Sequence, residues 1–331
     1  MALQRGAGLK NHTSSEFWPS EAMSKIKSRS GRRYIKTEPA NPAVRHPDLT
    51  PSLEAKKPMI PTSATHSKMP TWFIPHGAGP CFFMDWNPPD AWHRMADFLK
   101  NLATTLPCTP KAIVLVSAHW LTPKVTVTSG SHPQLIYDYS GFPPHTYELQ
   151  YPAPGDPALA AQMLATLGAA GIACASDAQR GFDHGMFIPL QLIFPQANIP
   201  VVQLSLNDSL DPTQQLQVGR ALQGLRDQSV LIIGSGMSFH NMRGYGNPQY
   251  GPISDAFDTW LTAAVEATPQ ERDRLLSNWT QAPGARDCHP ARAEEHLLPL
   301  MTAAGAGGMD AGRKVFSDRV METALSAFTF G

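Results

Sequence analysis

After residue 68 the polar and apolar positions switch repeatedly between two periods. Short runs rich in β-branched and aromatic residues read as strands: Thr71–Pro75, Ile113–Val116, Val125–Thr128, Ile199–Leu206, Val230–Ile233 and the closing Ala324–Phe330, with a shorter candidate at Ile172–Ala175. Between them apolar residues recur at helical spacing. One helix is predicted over Pro89–Leu106, carrying Trp92, Met95, Phe98, Leu99 and Leu102. Another starts at Asp156, a capping residue followed by Pro157, and runs to about Ala169. Further helices are predicted from His184 to the stop at Pro195, over Pro212–Arg226, Ser254–Ala267 and Pro269–Asn278, and from Glu294 to Ala304, where the acids suit a helix start. Strands alternating with helices predict an α/β fold: a single domain with a central, mostly parallel (mixed) sheet flanked by helices.

Residues 1–68 follow neither period. They are rich in Ser, Pro, Lys and Arg, and such a stretch buries too little apolar surface to offset the entropy of ordering it. They hold 12 Lys and Arg against 5 Asp and Glu; with 27 of each in the chain, the rest holds 15 against 22. Three readings fit this extension: a disordered basic tail, an organelle-targeting peptide, or translated upstream sequence. Its acids count against targeting, and the functional protein is expected to start near Met69, giving a domain over 69–331. A mildly acidic body without a basic stripe excludes nucleic-acid binding as the main activity. No apolar run approaches the length of a membrane span. The four cysteines are scattered with no CxxC pair, which suits free thiols in a reducing compartment, so a cytoplasmic protein is expected.

The chemistry lies in histidines at strand ends. His76, His119 and His240 each follow a predicted strand in a turn of small residues, as in KAIVLVSAHW, where His119 is expected just past the strand. Parallel neighbours end on one edge of a sheet, so three such turns can converge. Three neutral imidazoles suit Zn(II) or Fe(II). His184, between glycines at the start of a helix, is a candidate acid/base, because an imidazole titrates near operating pH. Asp183 either orients that ring or caps the turn. The loop from Ser131 to Pro154 is rich in aromatics; it either forms a pocket wall, with His145 or Tyr147 reaching substrate, or packs over the sheet.

The motifs IPHGAGP, SAHW, YPAPGDP, GFDHG and VQLSL, the late HP…EEHLLPL and the closing VFSDRVMETALSAFTFG resemble, in order, the 4,5-DOPA extradiol dioxygenase family of class III extradiol ring-cleavage dioxygenases. The resemblance spans about Met69 to Gly331. It implies that His76, His119 and His240 bind the metal, with a third His where many class III enzymes use Glu. It implies that His184 is the catalytic acid/base and that His289 and His296 lie near the pocket. The implied cofactor is Fe(II) for activity, with Zn(II) expected to be found bound because it outcompetes Fe(II) in the usual affinity order. The implied substrates are a DOPA-like catechol and O2, opened to a muconic semialdehyde. The histidines alone leave two other readings open: a zinc-dependent hydrolase, and a metal-binding protein without activity on the same fold. Oligomeric state is not legible.

Overall fold

Strands in the middle of a parallel sheet are covered on both faces and therefore read as unbroken apolar runs. Such runs form the centre of the structure, a computed structural model that describes residues 68–331. The basic extension expected over residues 1–68 lies outside the described residues, Lys68 apart. In chain order the elements are β1 (Thr71–Pro75), α1 (His93–Leu102), β2 (Ala112–Thr122), β3 (Val125–Thr128), α2 (Pro157–Ala169), β4 (Cys174–Asp177), α3 (His184–Ile193), β5 (Val201–Asn207), α4 (Pro212–Leu222), β6 (Val230–Gly236), α5 (Tyr250–Glu266), α6 (Pro269–Ser277), α7 (Ala285–Cys288), α8 (Leu298–Gly307), β7 (Gly312–Val320) and β8 (Thr323–Phe330).

The strands form one sheet in the order β4-β3-β5-β2-β6-β1-β8-β7. β5, β2, β6 and β1 are mutually parallel, so their carboxyl ends share an edge. β3 runs antiparallel to β5, and β8 antiparallel to both β1 and β7, which makes the sheet mixed at its flanks. The alternation of side chains along β6 assigns the two covering layers. A Cβ at Gly234 would meet the Pro299 carbonyl of α8, whereas the Ser235 hydroxyl donates to the Gly185 carbonyl of α3 at 2.5 Å. α8 is buried along its whole length between the sheet and α4. Asp156 caps α2 as expected, its carboxylate accepting from the Leu159 N–H at 2.9 Å. All four cysteines are free, and no helix among the described residues is long and apolar enough to cross a membrane.

Among the differences from the sequence prediction are those at β2, α8 and β7. β2 does not stop at Val116 but continues to Thr122, so His119 sits inside the strand rather than beyond it. The register with β5 shifts there: four residues of β2, Ser117 to Trp120, lie opposite the single position between Leu204 and Leu206. α8 begins at Leu298 rather than Glu294, and both acids lie in the turn before it. The strand β7 was not predicted. Its alternation of half-buried and exposed positions is period two, but it is carried by Arg313, Lys314, Ser317, Asp318 and Arg319, so it does not read as apolar. Its neighbours neutralise it: Lys314 pairs with Asp258 and Asp318 with Arg94.

The turn from β7 to β8 also lacks the usual signal. Met321 and Glu322 take φ of 42° and 72°, the left-handed values a two-residue hairpin loop requires, without Gly or Asn. Each such non-glycine residue costs about 1–2 kcal/mol. Replacing the pair by Asn-Gly is expected to raise stability by about 1 kcal/mol, read as a higher urea midpoint at unchanged slope.

Candidate active site

The shared carboxyl edge of β1, β2 and β6 presents the histidines. β1 ends at Pro75, and the His76 amide donates to the Gly236 carbonyl at the end of β6, so the first histidine is tied to the neighbouring strand. The chain then turns through Gly77 at φ +80°. The His76 Nδ1 lies 3.0 Å from the Gly77 carbonyl. A carbonyl only accepts, so Nδ1 carries the proton and Nε2 carries the lone pair. That Nε2 faces the Nε2 of His119 at 3.3 Å.

His119 owes its position to the irregular stretch of β2. Its amide donates to the Ser117 hydroxyl at 3.1 Å, and that hydroxyl donates to the Asp183 carboxylate at 2.6 Å. Asp183 is wholly buried and is also bonded by Arg180, at 3.0 Å, and by the Gln203 amide. The sequence left Asp183 between orienting His184 and capping the helix; its side chain does neither, since it makes no cap hydrogen bond and turns toward β2 and β5. The first turn of α3 packs so closely on β2 that a Cβ at Gly185 would lie 2.6 Å from the Ser117 hydroxyl and 3.1 Å from the His119 ring.

His296 lies in the turn before α8, where its carbonyl accepts from the Met237 amide at 2.9 Å. Its ring is buried, with centroids 5.2 Å from His76 and 4.9 Å from His119. One ligand nitrogen from each of His76, His119 and His296 lies within 4.8 Å of the others. His240 lies one ring further out, stacked on His296 at 3.4 Å and 14°, and forms a second group with Glu295 and His296. The structure thus groups His296 with His76 and His119, and His240 with Glu295 and His296. His289 is buried behind the β6 exit between Phe257 and Trp279, with Nε2 donating to the Ser238 carbonyl at 2.9 Å. It braces the segment that carries His240.

Burial lowers the pKa of two of these rings, His289 and His296. It lowers the His289 pKa to about 3, offset in part by the bond to Ser238 and assisted by the charges of His240 and Arg286. It also pulls His296 well below the usual histidine range, with His240, His119, His76 and His184 acting in the same direction. A neutral imidazole is the form that binds metal. Nitrogens held about 2.0–2.1 Å from a tetrahedral metal lie about 3.3–3.4 Å apart, which the 3.3 Å between His76 and His119 matches. The residues present therefore fit a divalent metal.

His184, at the start of α3, is buried with its ring centroid 3.9 Å from that of His119 and 5.3 Å from that of His76. Asp138 faces both His184 and His119. It accepts from the His184 Nδ1 at 2.8 Å and the His184 amide at 3.0 Å, and lies 3.6 Å from the His119 Nδ1. Burial acts to raise the Asp138 pKa, but His184, with its hydrogen bonds, and His119 outweigh it and hold the carboxyl well below the usual range. The loop carrying Asp138 is tethered by its own tyrosines: the Tyr137 and Tyr139 hydroxyls donate to the Leu149 and Thr146 carbonyls, each at 2.6 Å. Tyr139 packs edge-on to His184 at 5.7 Å. Of the two residues expected to reach substrate, Tyr147 packs on Tyr137 and Tyr139, and His145 is exposed with Nε2 donating to the Phe83 carbonyl at 3.0 Å.

Comparison with known proteins agrees with this geometry. Residues 70–329 match the model of the LigB family, described as the catalytic LigB subunit of aromatic ring-opening dioxygenase. The chain belongs to this family. Among its relatives, the dioxygenase tasH of Hapsidospora irregularis is 40% identical over 67% of this chain and 72% of its own length. The 4,5-DOPA dioxygenase extradiol of Beta vulgaris is 38% identical over 72% of this chain and 87% of its own, and that of Escherichia coli K12 is 34% identical over 72% and 86%. The crystal structure of the uncharacterized protein JW3007 from Escherichia coli K12 superposes with a TM-score of 0.63 at 30% identity, covering 80% of this chain and all of that one. Membership places this LigB-family chain among the aromatic ring-opening dioxygenases and accounts for a sheet edge lined with histidines.

Two outcomes test the construction of this LigB-family site. Gly185→Ala should force Ser117 and His119 apart, and is expected to weaken metal binding measurably in equilibrium dialysis while the circular dichroism of the fold is retained. His289 stays neutral in the folded protein and protonates in the unfolded chain below its ordinary pKa. Its contribution to stability is complete above about pH 6.5 and falls with pH, by up to about 1.4 kcal/mol per pH unit, until about pH 3. His289→Gln, which keeps a donor for Ser238, should reduce the acid slope of the unfolding free energy by that amount.

Proposed function

We propose that this protein cleaves the ring of a DOPA-like catechol with O2 beside the diol, giving a muconic semialdehyde. The observation that carries this reading is the packing of His184 against His119, which puts an acid/base beside a group of imidazoles. His76 and His119 would hold the metal with a third imidazole from the stacked pair His240 and His296; proximity favours His296 and the sequence resemblance favours His240. Fe(II) bound there supplies redox chemistry with O2 and lowers the pKa of the coordinated diol.

The protein's own residues supply the rest. The Nδ1 proton of His184 is committed to Asp138, so Nε2 is the nitrogen that takes the second hydroxyl proton and later returns it. Tyr137, Tyr139, Tyr147 and Phe187 form an aromatic wall beside His184 that suits a flat ring. Burial, with Tyr137, Tyr147 and Asp138 nearby, raises the Tyr139 pKa, so its hydroxyl stays protonated and keeps its bond to Thr146. The relatives named 4,5-DOPA dioxygenase extradiol support the substrate class.

Protein loaded anaerobically with Fe(II) is expected to consume O2 with a catechol panel and form a yellow semialdehyde; no uptake with any catechol would overturn the proposal. His184→Ala should keep its metal and lose turnover by roughly 10²–10⁴-fold. Metal content of His296→Ala and His240→Ala resolves the third nitrogen: the variant that loses metal together with His76→Ala and His119→Ala identifies the ligand.

A further inference from the structure

The acid/base histidine is preceded in the chain by a buried acid, Asp183, and faced in space by a partly exposed one, Asp138, and the two are used differently. Asp183 points into the sheet, where Ser117, Arg180 and Gln203 satisfy it. Asp138, from the aromatic loop, keeps 23 % of its side-chain surface in solvent, and every hydrogen bond and ion pair of its carboxylate goes to His184 or His119. The loop is built to present it: the residues on either side, Tyr137 and Tyr139, are each tied through the hydroxyl to a carbonyl of the same loop.

We propose that Asp138 is a positioning residue that serves two histidines at once, fixing the tautomer and plane of His184 through Oδ1 and orienting the ring of His119 through Oδ2. Oδ1 accepts both the ring Nδ1–H and the amide N–H of His184, at 2.8 and 3.0 Å. Two bonds to one oxygen lock the ring relative to its own backbone and make Nε2 the basic nitrogen. Oδ2 lies 3.6 Å from the His119 Nδ1, longer than a hydrogen bond, and acts on that ring as a nearby negative charge that favours Nδ1 facing it. One side chain thereby sets the angle between the two rings, 45° at 3.9 Å.

The activity consequences rest on the reading of His184 as acid/base; the tautomer does not, and the test separates them. In the full chain, loaded with Zn(II) for spectroscopy and Fe(II) for turnover, Asp138→Ala and Asp138→Asn are compared with the unaltered protein. Asn keeps an oxygen able to accept both His184 donors. The ¹⁵N spectrum of His184 should show the Nδ1–H tautomer in the unaltered protein and in Asp138→Asn, and the Nε2–H form in Asp138→Ala. Asp138→Ala should lower kcat by about 10–100-fold with KM little changed, and weaken metal affinity by a similar factor; Asp138→Asn should recover a large part of kcat. An unaltered His184 tautomer in Asp138→Ala overturns the proposal, as does a kcat within twofold of the unaltered protein. So does an equal loss in both variants that follows a fall in thermal stability, which marks a role in the fold alone. If the unaltered protein takes up no O2, the proposed function fails, and the tautomer comparison still decides whether Asp138 positions His184.

Discussion

The buried charge of Asp183 is the constraint on which the site's geometry depends. A carboxylate removed from water is tolerated only when donors replace its hydration. Here the donors come from Ser117 on β2, Gln203 on β5 and Arg180 in the approach to α3. Ser117 spends its single proton on Asp183, so its oxygen is left as an acceptor, and the acceptor takes the His119 amide. His184 follows Asp183 directly in the chain. One carboxylate thus ties the backbone of His119 and His184 to the same point in the sheet, and releasing the three extra residues of β2 would strand it.

A cluster of imidazoles this dense would repel itself if protonated. His76, His119, His184, His240 and His296 lie within ring-contact distance of at least one neighbour each. Burial of His296, with the imidazoles around it acting in the same direction, holds that ring well below the usual histidine range. The carboxylates beside the cluster lie at its rim, at Asp138 and Glu295.

Much of this was legible because strand ends are local features. β1 has the limits its residues suggest, and of the three histidines expected to converge from strand ends His76 and His119 do face each other, while His240 lies beside His296 instead. What escaped was long-range or disguised. Asp138 sits in an aromatic loop and finds His184 in space, 46 positions away, so no spacing announces it. β7 hides its alternation in charged residues whose partners lie on other elements, and its turn uses Met and Glu where Gly and Asn would have signalled a hairpin. His289 and His296 come from one short segment and carry the same resemblance, yet one is enclosed by Phe257 and Trp279 and the other enters the cluster. Only the direction in which each ring points separates them.

The position of β8 has a consequence for how the molecule comes into being. β1, the first strand, pairs on one side with β6 and on the other with β8, Thr71 meeting Phe330. An emerging chain therefore holds β1 without its first partner until β6 is made, and with its other edge unmatched until β8 closes the described chain. Contacts of such sequence separation are slow to form and expose strand edges meanwhile. The same delay applies to the ring of His296, which arrives just ahead of β7. Before that segment is synthesised the nascent polypeptide carries His76, His119 and His184 without the imidazole of His296 that packs among them.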